Sequence, residues 1–136
     1  MVFMEWTENF SVKVPLIDEQ HKKLFGLIND FYSGFKEKSI FKERMTELIK
    51  GLKDYALYHF STEEKYMEMY NFPGYKNHKK EHEIFIEKIA DISERYESGQ
   101  LVVSLEITNF IKDWLTNHIL GTDKKYSQLF IEKGVK

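Results

Sequence analysis

Apolar side chains recur at Leu24, Phe25, Ile28, Phe31, Tyr32 and Phe35, a spacing of three and four residues that predicts a helix with one buried face. A second stripe runs through Met45, Leu48, Ile49, Leu52, Ala56, Phe60, Met67 and Tyr70, with Ser39 placed as its N-cap and Pro73-Gly74 as its stop. The third carries Phe85, Ile89, Ile92 and Tyr96 and closes at Ser98-Gly99. Ile107, Ile111, Trp114 and Leu115 form a fourth that reaches Gly121, beyond which Tyr126, Leu129 and Phe130 predict a short terminal helix. Ahead of the first stripe lies an irregular arm ending near Pro15. No strand-like alternation is sustained, and the connections are short. The expected fold is all-α: an up-down-up-down antiparallel four-helix bundle with an irregular N-terminal arm and a short C-terminal helix.

At 136 residues the chain is the size of one ordinary domain, so residues 1–136 are read as a single unit. Its 20 basic and 22 acidic residues are interspersed, leaving a net charge of −2 and no basic stripe for nucleic acid or anionic lipid. No apolar run is long enough for membrane insertion, and the first residues carry no export signal, so the expected location is cytoplasmic. The absence of cysteine excludes disulfides, thiolate nucleophiles and cysteine-ligated zinc or iron–sulfur clusters. Any metal must be held by histidine and carboxylate. Phe3, Tyr58 and Tyr75 are expected as exposed aromatics, available for an interface or simply covering the bundle.

Within that frame the five histidines are misplaced for a passive core. His21, His59, His78, His82 and His118 all fall on the apolar faces, and none is left for the surface. Glu63 joins them, four residues after His59 and four before Met67. Taken singly, the His78/His82 pair or the His59/Glu63 pair is an ordinary one-turn spacing. Converging from four helices they are too many unsatisfied polar groups for a dry interior, and a buried carboxylate beside neutral imidazoles is what a divalent cation uses.

Asp123 follows His118 by five residues. Five steps of an α-helix rotate about 140°, so both can face one site only if the helix ends or bends between them, and Gly121 offers that break. With Asp123 included, seven donors exceed the needs of one ion. Two metals bridged by both carboxylates and one solvent-derived oxygen use them well. Three histidines then complete six-coordination at one metal, and two leave the other five-coordinate with an open position. Iron is the redox metal that suits imidazole and carboxylate together, and dioxygen the small guest that suits iron.

Trp6, the run Ile17-Asp18-Glu19-Gln20-His21-Lys22, the run His59-Phe60-Ser61-Thr62-Glu63-Glu64, the His78/His82 pair and Trp114-Leu115-Thr116-Asn117-His118-Ile119 followed by Asp123 together resemble the hemerythrin family, most closely its single-domain bacterial members. The resemblance spans nearly the whole chain. It implies a centre of two Fe ions (Fe2+/Fe3+) bridged by Glu63, Asp123 and an oxo or hydroxo group. His78, His82 and His118 would bind the saturated iron, and His21 and His59 the open one. It also implies reversible dioxygen binding rather than turnover, hence a carrier, store or delivery protein and not an enzyme. An apolar pocket would protect the bound oxygen from water and protons. Leu115, one turn before His118, is the first pocket candidate, followed by Leu24, Phe25 and Trp114. An oxygen-accepting partner protein is compatible with this role, though no residue identifies it.

A di-iron oxidase or iron store would use Glu-x-x-His on two helices, and the sequence contains none. A zinc hydrolase would carry His-Glu-x-x-His, which is also missing. An oxygen or redox sensor stays open as the alternative binding role.

Overall fold

The computed structural model describes residues 3–37 and 42–136. Four long helices, α1 (Pro15–Lys36), α2 (Lys42–Met69), α3 (Tyr75–Glu97) and α4 (Leu105–Asn117), pack as the expected antiparallel bundle. A short α5 (Ser127–Glu132) closes the fold. Ser39, read as an N-cap, lies outside the described residues.

The ends of the helices follow local chemistry. Pro15 opens α1, where a missing N–H costs nothing. Asp18 in its first turn accepts from the Val12 N–H at 2.9 Å and the Ser11 hydroxyl at 2.6 Å, which ties down the preceding arm. Farther along, Asn29 clasps the backbone of Met4 through two hydrogen bonds of 2.7 and 2.9 Å. The arm is therefore irregular but fixed. α2 stops before Pro73-Gly74 is reached. Asn71 adopts a left-handed conformation (φ 54°), its N–H bonds Glu68 C=O and the next N–H, of Phe72, returns to Met67 C=O, a Schellman ending in which asparagine replaces glycine. Gly99 (φ 79°) ends α3 in the same way, with Gln100 N–H bonding Arg95 C=O. Ser104 caps α4 by accepting from Ile107 N–H.

Two apolar clusters fill the interior. The larger contains Leu24, Phe25, Ile28, Phe31, Ile49, Leu52, Phe60, Phe85, Ile89, Ile111 and Leu115, and the smaller gathers Val12, Val14, Ile17, Met67, Tyr126, Phe130 and Val135. On α1 the order Ile17, His21, Leu24 passes from one cluster to the other. On α2 the order Phe60, Glu63, Met67 does the same. A polar layer thus separates the two. Of the three aromatics expected at the surface, Tyr58 is exposed, whereas Phe3 stacks on Tyr32 at 4.0 Å and Tyr75 is partly covered beside the smaller cluster. Among the described residues no helix is long and apolar enough to cross a membrane.

Candidate metal centre

All seven of His21, His59, Glu63, His78, His82, His118 and Asp123 meet in that layer, each 2% exposed or less. Helical spacing puts His59 above Glu63 and His78 below His82, one turn apart on α2 and α3. The approach of Asp123 needs a different device. The chain does not break at Gly121 as the sequence reading expected. From His118 to Thr122 the helix widens into a π turn, and the Asp123 N–H bonds His118 C=O, five residues back. A π turn absorbs one extra residue and so returns position i+5 to the side of position i. The next turn, Asp123–Tyr126, tightens to a 3₁₀ helix, which aligns residues three apart and brings Tyr126 beneath Asp123.

The donor atoms fall into two overlapping groups. Glu63, His78, His82, His118 and Asp123 form one, and His21, His59, Glu63 and Asp123 the other, with the atoms of each group lying within 4.8 Å of one another. Asp123 divides its oxygens between them. Its Oδ1 is 2.9 Å from both His78 Nε2 and His118 Nε2, while its Oδ2 is 3.1 Å from His21 Nε2. Glu63 Oε1 stands between His82 Nε2 at 3.2 Å and His59 Nε2 at 3.3 Å.

These contacts are poorly served by hydrogen bonds. His21 Nε2, His59 Nε2, His78 Nε2, Glu63 Oε1 and both oxygens of Asp123 are buried without a properly aligned partner among the described residues. Each such atom costs roughly 1–3 kcal/mol if left alone. Their spacing instead suits a shared cation. Donors bound at about 2.1 Å and at right angles to one another stand about 3.0 Å apart.

The outward ring nitrogens sharpen this point. His59 Nδ1 donates to Gln20 Oε1 (2.7 Å), His82 Nδ1 to Glu64 Oε2 (2.7 Å) and His118 Nδ1 to Glu81 Oε1 (2.8 Å). Those oxygens only accept, so the Nδ1 atoms carry the hydrogens and the Nε2 lone pairs of the neutral rings point inward. His82 Nε2 and His118 Nε2 consequently face each other at 3.1 Å. Only a proton or a cation between them relieves that encounter. Thr122 donates to Glu81 at 2.9 Å and holds its carboxylate in place, and the Tyr126 hydroxyl donates to Glu63 Oε2.

Without metal, protons take the cation's place. Burial lowers the pKa of His21, but Asp123 and Glu63 more than offset this and raise it to about 9. His82 is likewise lowered by burial and raised, to about 9, by Glu63 and Glu64. For His118, burial again opposes and Asp123 prevails, so its pKa also rises. Burial dominates at His59 and lowers it to about 3, keeping that ring neutral. Burial works against ionisation of Glu63 and Asp123, yet the surrounding imidazoles hold both below the usual carboxylate range. Burial and the two carboxylates push the Tyr126 phenol well up, so it remains a neutral donor.

The hemerythrin HHE cation-binding domain family matches residues 12–130. The chain belongs to the hemerythrin family. Among its relatives, a bacteriohemerythrin of Methylococcus capsulatus is 31% identical over 127 residues, covering 93% of this chain and 95% of that one. A bacteriohemerythrin of Stenotrophomonas maltophilia is 30% identical over 127 residues, with 93% and 81% covered. A solved wild-type hemerythrin superposes with a TM-score of 0.88 at 30% identity, covering 93% of this chain and 96% of that one. The cluster of histidine, glutamate and aspartate is thus set in a hemerythrin fold.

Of the four pocket candidates, Leu24, Phe25 and Leu115 are buried in the larger apolar cluster. Trp114 packs against the same cluster from its edge: half-buried, it stacks on His118 at 4.5 Å and contacts Phe60 and Phe85, on the side of the three histidines. Sequence reasoning missed Gln20, Glu64, Glu81 and Tyr126 as partners of the cluster. The available signal was that the first three each adjoin one of the seven in sequence.

Proposed function

We propose that this hemerythrin holds two iron ions and binds dioxygen reversibly, as a cytoplasmic carrier, store or delivery protein. His78, His82 and His118 would hold one iron and His21 and His59 the other, with Glu63 and Asp123 shared between them. The observation that carries the reading is the division of five histidines into three and two around two common carboxylates, with the oxygens of Asp123 split between the groups. That asymmetry leaves one ion short of a ligand.

When bound, such irons supply the two electrons that dioxygen borrows and later returns. The protein's part is to hold, orient and shield. Glu63 and Asp123 offset cationic charge in an interior that could not otherwise carry it. Gln20, Glu64 and Glu81 fix the tautomers of His59, His82 and His118, so that three imidazoles arrive preorganised. Leu24, Phe25 and Leu115 keep water and protons from the open side. Two carboxylates shared among five imidazoles leave this a site of few carboxylates per ion, which favours binding over oxidative turnover.

The test is metal content per chain together with absorption spectra of the anaerobically reduced protein before oxygen, after oxygen and after its removal. Two irons and a visible charge-transfer band that comes and goes are expected. Irreversible oxidation would replace oxygen carriage with oxidase, storage or redox-sensing chemistry, and a single zinc would overturn the di-iron centre.

A further inference from the structure

The hydroxyl of Tyr126 reaches across the bundle to Glu63, 63 positions away in sequence, and the residue is fully buried. Its ring is fixed from two sides, stacked on Phe130 at 4.2 Å and lying nearly parallel to His78 at 5.7 Å. The 3₁₀ turn that carries it begins at Asp123, so one short segment delivers both the second shared carboxylate and a donor to the first.

The two oxygens of Glu63 have unequal surroundings. Oε1 stands between His59 and His82, one from each histidine group, while Oε2 takes the phenolic hydrogen and lies farther, 3.8 Å, from His21. We propose that Tyr126 is a positioning residue for Glu63: its hydroxyl fixes the orientation of the carboxylate between the two histidine groups, and it withdraws negative charge from the carboxylate they share. A carboxylate that donates a share of its charge to a phenol gives less to a cation. The higher-valent state of the centre is then less favoured, and its reduction potential is held higher than with an unbonded glutamate.

Tyr126→Phe keeps the ring and its stacks while removing the donor. 3-Fluorotyrosine, introduced at that position alone, gives a more acidic phenol and a stronger one. With iron bound, Tyr126→Phe is expected to lower the reduction potential and the fluorinated residue to raise it, at unchanged iron content. A role in packing alone would move stability but leave both potentials at the wild-type value, and that result would overturn the proposal. This arm rests on the di-iron reading, so a second is run on metal-free protein, where the antisymmetric carboxylate stretch of Glu63 is read by infrared difference against Glu63→Gln. The band should shift between wild type and Tyr126→Phe. An unshifted band would overturn the anchoring of Glu63 whatever metal the protein takes, whereas a shifted band with no iron bound would leave Tyr126 in place and remove only the iron.

Discussion

Asp123 Oδ1 stands 2.9 Å from His118 Nε2 although five residues separate them, and the backbone joins the same two residues through the Asp123 N–H and the His118 carbonyl. Both contacts depend on the π turn. Its interior residue Gly121 has no positive φ, and a Cβ added there would meet nothing within 4 Å. Gly121→Ala should therefore leave metal content unchanged and raise stability by about 0.5–1 kcal/mol through reduced freedom of the unfolded chain. Thermal unfolding with metal analysis checks this; loss of metal would mean that glycine is needed as a break after all.

His59→Ala should lower iron occupancy and stability together, since metal bound only by the folded state contributes to folding. At metal concentrations a thousandfold above Kd that contribution is about 4 kcal/mol. Unfolding curves recorded with and without chelator separate the effects. Wild type and variant should differ widely when loaded and much less when stripped, and full iron retention by the variant would take His59 off the ligand set.

The metal-free protein should become less stable as pH rises from about 6.5 to 9. His21 and His82 keep their protons in the folded state up to about 9, while an unfolded histidine loses its proton near 6.5. Across this window the folded chain binds more protons than the unfolded one, so stability falls with pH. It is fully present below 6.5 and lost as pH passes 9. Metal loading needs neutral imidazoles, so it should release protons in the same window and remove the decline. Melting temperatures of stripped and loaded protein between pH 6 and 10 decide it, and parallel curves would contradict the assignment.

Leu115→Ser should retain iron but shorten the life of the oxygen adduct, because a small polar residue admits water to the apolar side of the centre. The lost packing should cost about 3 kcal/mol. Stopped-flow decay of the oxygenated spectrum measures the first effect and denaturant unfolding the second. An unchanged lifetime would move the pocket away from Leu115.

Periodicity made the four helices legible, because Leu24 to Phe35 and Phe85 to Tyr96 repeat at the helical period and have no other way to share a buried face. The same logic placed every histidine inward. It also showed that His118 and Asp123 conflict on a regular helix, but not how the conflict is resolved: a π turn is stabilised by what packs around it and has no period of its own over five residues. The stop of α2 was displaced for a similar reason, since Asn71 adopts a left-handed conformation that its neighbours in sequence do not announce. Tyr126 read as an ordinary aromatic of the terminal helix. Its hydroxyl acquires a role only once α2 lies beside it, and Glu64 and Glu81 likewise look like solvated surface charges until the rings of His82 and His118 turn outward to meet them.

The smaller apolar cluster is drawn from both extremities of the fold, Val12, Val14 and Ile17 on one hand and Tyr126, Phe130 and Val135 on the other, with Met67 of α2 between them. Ser127 donates to the Val12 carbonyl and fastens the two segments directly. They act as a clasp under the histidine layer. Releasing either arm would free the other and uncover the histidine layer from below, so the opening of the two ends of the fold and the loss of any metal held in that layer would be one event.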